Sequence, residues 1–315
     1  VTRRLALALF LGIGIGSSAL ATEAGDPFPP LEISPDPADP RGPDIAYGAY
    51  QRGYYMNAFY EATRRVEEQQ DPVAMVLLGI LYSEGYGIPK DLTKAASWFD
   101  AAARRGNRDA QFALGLMTLR GDGIAKNEKA GIALLEQAAA AGLPQAWYNL
   151  GLVALSPING TVDEALAVER FRNGAAGGDL DAQYALGVLL KEGRGTKPDA
   201  TAAVDLFRKA SDGGHVEAMV ELGIALFNGV GIERNEAEAA KWFEKSARRG
   251  SVVGMNRYAR VAAAGIGMTR DPRAAIVWHL RAKQRGLGDP FLDTFMQEQP
   301  EDLRKSAQAE AALPQ

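Results

Sequence analysis

Residues 215–250 read HVEAMVELGIALFNGVGIERNEAEAAKWFEKSARRG, and the chain carries this unit, in recognisable form, six times. Stepping back by 36 residues gives copies at 71–106, 107–142, 143–178 and 179–214, and one step forward gives a more divergent copy at 251–286. A fixed period of this length predicts a solenoid, in which each unit is one supersecondary element that buries its apolar face only by stacking on its neighbours.

The register agrees with physical chemistry position by position. Every copy ends in glycine (Gly106, Gly142, Gly178, Gly214, Gly250, Gly286), as a helix stop with a left-handed residue requires. Nine residues into each copy stands another glycine (Gly79, Gly115, Gly151, Gly187, Gly223), replaced by Ala259 in the last. Five residues earlier is a small residue: Ala74, Ala110, Ala146, Ala182, Ala218 or Gly254. This spacing predicts two helix backbones in close approach. A G-x-G turn follows in five copies, at Gly85/Gly87, Gly121/Gly123, Gly193/Gly195, Gly229/Gly231 and Gly265/Gly267. Then Asp91, Asn127, Asp163, Asp199, Asn235 and Asp271 occupy one fixed place, suited to an N-cap, and Pro272 fits the first helical position behind it. Ala239, Trp242, Phe243 and Ser246, like Ala95, Trp98, Phe99 and Ala102, follow the i, i+3, i+4, i+7 spacing of one buried helical stripe. Each copy therefore reads as helix A of about 13 residues, a glycine turn, helix B of about 14 and a glycine stop.

The pattern A…LG…G.G…D…A..WF..A…G over 71–286 resembles the Sel1-like repeat, a relative of the tetratricopeptide repeat with a longer inter-helix loop. The resemblance implies an all-α, right-handed α-solenoid of six 36-residue helix-turn-helix repeats used as a binding scaffold, and names no particular ligand.

Upstream, residues 1–21 have the three parts of a secretory signal peptide: Arg3 and Arg4, the apolar run Leu5–Ile15, and a small-x-small site at Ala19-Leu20-Ala21. Cleavage after Ala21 and a periplasmic location are the expectation. Residues 22–43 hold seven prolines and read as an extended linker. Residues 44–70 read as an N-terminal capping helical hairpin, whose rings Tyr47, Tyr50, Tyr54, Tyr55, Phe59 and Tyr60 are expected mostly to pack on the first repeat, the alternative being a recognition surface. Downstream, 287–315 reads as capping helices and a tail, with Asp289-Pro290 opening a helix, a break at Gln299-Pro300 and a polar helix over 301–312.

Composition narrows the function. A net charge of −4, more negative once a leader with two arginines and no acids is gone, leaves no electrostatic footprint for nucleic acid or anionic lipid. The absence of cysteine excludes a disulfide framework, so packing alone must hold the repeats, unlike the secreted relatives that staple each repeat with a disulfide. His215 opens a helix A, and His279 fills a position held elsewhere by Phe or Leu, so neither has metal-ligand spacing. There is no G-x-S-x-G elbow or phosphate-binding loop, and no cofactor is expected. The third copy departs most, with Ser156-Pro157-Ile158-Asn159-Gly160 in place of the G-x-G turn and Gly174 inside helix B, and is expected to be the softest link, at about 1 kcal/mol for the helical glycine.

Helix A lines the inner face of such arrays. If Ala146, Leu150 and Val153 are buried, the opposite face carries Tyr148, Leu152 and Leu155. Across the copies this gives a candidate partner groove of Phe112, Tyr148, Asn149, Tyr184, Glu221 and Phe227, suited to a helix or extended peptide. The expectation is a non-enzymatic periplasmic scaffold or regulator for another envelope protein or peptide, peripheral to the membrane at most. Some exported relatives modulate the periplasmic part of membrane signalling proteins. The alternatives are a peptidoglycan-associated structural protein or, as the cysteine-rich relatives imply, a β-lactam-binding or hydrolysing enzyme.

Overall fold

The structure, a computed structural model, describes residues 45–156 and 162–313. The signal peptide, the proline-rich linker and residues 157–160 of the third-copy loop lie outside the described residues. The described residues form sixteen helices and no strand, in two compact units.

The first unit holds α1 (Ile45–Gln51), α2 (Tyr55–Gln69), α3 (Pro72–Glu84), α4 (Leu92–Ala103), α5 (Arg108–Arg120), α6 (Glu128–Ala140) and α7 (Pro144–Leu155). The second holds α8 (Glu164–Ala176), α9 (Leu180–Glu192), α10 (Ala200–Gly213), α11 (Val216–Asn228), α12 (Glu236–Arg248), α13 (Val252–Ala264), α14 (Pro272–Gln284), α15 (Pro290–Gln297) and α16 (Glu301–Ala311). Within each unit helices pack in chain order, hairpin on hairpin, so each is a stretch of all-α solenoid. The boundary between the units falls inside the third copy, between its two helices.

Asp91, Asn127, Asp163, Asp199, Asn235 and Asp271 each accept the amide of the third residue onward at 2.9–3.0 Å, closing the start of every helix B. A second series, not anticipated as a series, closes helix A: Asp71, Asn107, Asp179, His215 and Ser251 accept at the same point of their copies, whereas Leu143 offers no acceptor.

At Gly79, Gly187 and Gly223 the glycine nine residues into a copy makes its close approach to a ring, whereas at Gly115 it meets a helix backbone as the spacing suggested, a Cβ there standing 3.1 Å from the Gly131 carbonyl oxygen. A Cβ on Gly79, Gly187 or Gly223 would stand 2.6, 2.6 or 2.5 Å from Phe99, Phe207 or Phe243 of the same copy's helix B. The second glycine of the turn works between copies. A Cβ on Gly123, Gly195, Gly231 or Gly267 would lie 2.1–2.3 Å from a carbonyl oxygen in the first turn of the preceding helix B.

Arginine straps add to these junctions. Arg249 and Arg285 donate to the carbonyls of Gly214 and Gly250 at 3.1 Å, and Arg105 donates to Gln70 Oε1 at 2.6 Å, each reaching 35 residues along the chain.

At the N-terminal end Tyr47 is buried, Tyr50, Tyr55 and Phe59 pack on the first-repeat core, and Tyr54 and Tyr60 are exposed. Tyr55 and Tyr86 stack with centroids 4.7 Å apart, and burial beside Tyr86 and Tyr55 pushes the Tyr50 phenol up to about 12. At the other end Ile276 and Val277 of α14 join Met296, Ala307 and Ala311 in one core.

Candidate functional site

The candidate groove residues separate into two groups, one in each unit. In the first unit the structure corrects the placement of Phe112: it is 5 % exposed, inside a core with Leu116, Leu135, Ala138, Ala146 and Leu150. Neighbouring helices cover it on all sides, so it has no free face to offer. Tyr148 and Asn149 of α7 are half-buried, and Asn149 spends its amide on the Gln145 carbonyl at 2.9 Å. Ala146 and Leu150 are buried as the helical stripe requires, Val153 and Leu152 are half-buried, and Leu155 is buried.

The second unit brings Tyr184 and Glu221 together. Tyr184, half-buried on α9, stacks on His215 with centroids 4.6 Å apart and planes at 24°. Burial raises its phenol pKa, and the carboxylates of Glu221, Glu217 and Glu192 push it further. Glu221 of α11 pairs with Lys191 of α9 at 2.7 Å, across one repeat junction. Phe227 lies at the far end of α11, half-buried, with the Arg234 guanidinium 6.0 Å from its ring.

His215 explains why this ring is held so firmly. It is the helix cap where four other copies have Asp, Asn or Ser and the third has Leu143: Nδ1 accepts the Ala218 amide at 3.1 Å, so in the neutral ring Nε2 carries the proton. That nitrogen is buried and sits 3.2 Å from Asp181 Oδ1, without hydrogen-bond geometry. On the preceding helix start, Asp179 accepts the Ala182 amide at 2.7 Å. Burial, together with the nearby Asp181 charge, lifts its carboxyl to about 6, against the pull of the amide and of His215.

A clamp that sequence reasoning did not find closes the next copy. Asp289, the cap of α15, accepts Asn256 Nδ2 at 2.7 Å and Arg260 Nε and Nη2 at 2.6 and 2.9 Å. Burial alone would raise its pKa, but these bonds outweigh it and hold the carboxyl down at about 2. The available signal was Asn256 and Arg260 on helix A at spacing i, i+4, a polar pair at places where Val220 and Ile224 stand one copy earlier.

The face formed by α9 and α11 is thus an open strip with an aromatic ring, carboxylates at Asp181, Glu217 and Glu221, and one bridging lysine.

Comparison with known proteins agrees with this architecture. The family model described as Sel1 repeat matches residues 72–107, 108–143, 180–215, 216–251 and 252–287, five of the six copies, and passes over the divergent third. A crystal structure of a protective antigen of uropathogenic Escherichia coli strains, displaying an SLR fold, is similar at a TM-score of 0.68 with 29 % identity, over 81 % of this chain and 58 % of that one. The chain therefore spans well under two thirds of that antigen. A Sel1 repeat protein from Oxalobacter formigenes is similar at a TM-score of 0.64 with 26 % identity, over 79 % of this chain and 100 % of that one. No curated protein matches the chain. Sel1 repeat proteins generally mediate protein–protein interaction, and with its five matched repeats and solenoid helices this chain belongs to the Sel1 repeat family.

Proposed function

We propose that this protein is an exported, non-enzymatic scaffold that binds a segment of another envelope protein through the α9–α11 face. The observation that carries the reading is the Tyr184–Glu221–Lys191 group: a ring fixed by stacking on His215, next to a carboxylate fixed by an ion pair across the repeat junction. Groups already held in place lose little freedom on binding, which favours recognition over an open surface. The strip's length suits a helix or extended peptide, read along several side chains. Its carboxylates favour a partner segment carrying basic residues. The signal-like leader at 1–21 supports the periplasm as the place of action, and the periplasmic part of a membrane signalling protein as the class of partner.

Two measurements test this. N-terminal sequencing of the protein from a periplasmic fraction is expected to begin at Thr22; retention of residues 1–21 in the cytoplasm would overturn the export reading. Affinity capture from solubilised envelope is expected to enrich one membrane protein, and the double variant Tyr184→Ala/Glu221→Arg is expected to lose it. Capture that survives the variant would remove the α9–α11 face from the reading, and co-sedimentation with purified peptidoglycan in place of any protein would replace the scaffold by a cell-wall component.

A further inference from the structure

A groove of about 260 Å³ lies in the second unit, away from the Tyr184 face, between residues of α12, α13, α14 and α16. Its lining includes Arg248, Tyr258, Arg273, Trp278, Arg281 and Glu310. Tyr258 is the departure that makes it. The same position in the other five copies holds Leu78, Leu114, Leu150, Leu186 and Leu222, a core leucine each time. Here a phenol takes the place, its ring buried and edge-on to Trp278 at 6.1 Å. Burial raises its pKa, as do the charges of Glu244 and Asp271.

The charges around the groove are unevenly answered. Arg273 pairs with Glu310 at 2.8 Å, and Arg248 pairs with Glu244 at 2.8 Å. Asp271, also in the wall, spends Oδ1 on the Ala274 amide at 2.9 Å. Arg281 stacks 5.1 Å from the Trp278 ring and donates Nη2 to the Glu310 carbonyl at 3.3 Å, but among the described residues no carboxylate pairs with it. Its Nε is buried without an acceptor, and among the described residues neither Tyr258 nor Trp278 has a hydrogen-bond partner. A wall with unanswered N–H and O–H donors, one unpaired guanidinium and an indole floor calls for an anionic acceptor with apolar neighbours.

We propose that this groove is a second binding site, for a carboxylate side chain of a partner peptide flanked by apolar residues. The carboxylate lies against Arg281 and the Tyr258 hydroxyl, and an adjoining apolar side chain lies over Ala274 and the exposed edge of Trp278. Asp271 and Glu310 in the wall disfavour a doubly charged phosphate and can accept the N–H groups that a peptide brings. The site is independent of the α9–α11 face.

The test follows the indole ¹⁵N–H resonance of Trp278, identified by its loss in Trp278→Phe, in the whole protein titrated with the blocked peptide acetyl-GLELG-amide. A saturable shift is expected, weakened about tenfold or more by Arg281→Gln and by Tyr258→Leu, as loss of a hydrogen bond to a charged group implies. Tyr258→Leu restores the residue of the other five copies, and an unchanged circular dichroism spectrum shows that its fold is kept. Glu221→Arg is expected to leave the titration unchanged, which separates this site from the one proposed above. Equal binding by acetyl-GLQLG-amide, the absence of a saturable shift, or full binding by both variants would overturn the proposal. So would a saturable response to inorganic phosphate or glucuronate where the peptide gives none.

Discussion

Gly223 lies under the ring of Phe243, so close that a Cβ on the glycine would stand 2.5 Å from Cε1. The helix gives up about 1 kcal/mol of propensity at that glycine, and the close ring packing offsets it. The last copy makes the point by exception: Ala259 replaces the glycine, and at the phenylalanine position stands the smaller His279.

Gly223→Ala is therefore expected to destabilise the protein by about 1–3 kcal/mol, as overpacking does. Gly115→Ala should cost less, because its nearest contacts, the Gly131 carbonyl oxygen and the Leu135 side chain, lie at 3.1 Å rather than 2.5 Å from a rigid ring. Urea unfolding of both variants decides the matter; equal losses would show that the ring contact is not what selects glycine.

The two glycines of one turn should respond differently to the same change. Gly229 and Gly231 both have left-handed backbones, at φ of 69° and 74°. A Cβ on Gly229 would meet the Arg234 Cβ at 3.1 Å, whereas one on Gly231 would meet the Ala200 carbonyl oxygen at 2.3 Å. Gly229→Ala should cost about 1 kcal/mol from strain, and Gly231→Ala at least about 1 kcal/mol more, because it pushes two repeats apart. Thermal unfolding of the pair checks the order.

Asp179 contributes in the unusual sense. Its folded pKa of about 6 lies above the ordinary aspartate value of 3.8, so the protonated form is favoured by folding. That contribution is fully present below about pH 4 and is lost as pH rises through 6. Asp179→Asn keeps a capping oxygen, as Asn107 and Asn127 do. The variant is expected to be more stable than the parent by about 1–2 kcal/mol at pH 7 and to match it near pH 4. A denaturant series across that range would contradict this reading if the difference did not change with pH.

Asp289 behaves in the opposite way. Its carboxyl, held at about 2 against an ordinary 3.8, stabilises the fold above about pH 4 and loses that contribution as pH falls through 2. The amount is about 2 kcal/mol. Asp289→Asn should lower stability at pH 7 by a similar amount and flatten the acid limb of guanidinium unfolding curves. An unchanged acid limb would mean that the Asn256–Arg260 clamp is not coupled to folding.

The repeat period, the glycine turns and the helix-B caps could be read from the sequence because they are local: each is decided by one residue type at one backbone conformation. Phe112 could not be placed this way. Whether a ring on an all-apolar helix faces solvent depends on how closely the next hairpin lies against it, and the α5–α6–α7 packing covers it. Tyr184 and Glu221 stand 37 positions apart, and only the fold that sets α9 beside α11 brings the Glu221 carboxylate near the Tyr184 phenol. The Asn256–Arg260–Asp289 clamp was hidden for the same reason, because Asp289 falls after the last period, where repetition no longer guides the reading.

The arginine straps have a consequence for speed. Arg105, Arg249 and Arg285 each reach back 35 residues, and the ion pairs Lys191–Glu221 and Arg208–Glu238 span 30. A copy can thus complete its contacts once one neighbour exists, with no wait for distant stretches of chain to meet. Such low contact order makes for rapid folding, and on a ribosome each repeat could lock as soon as the next had emerged.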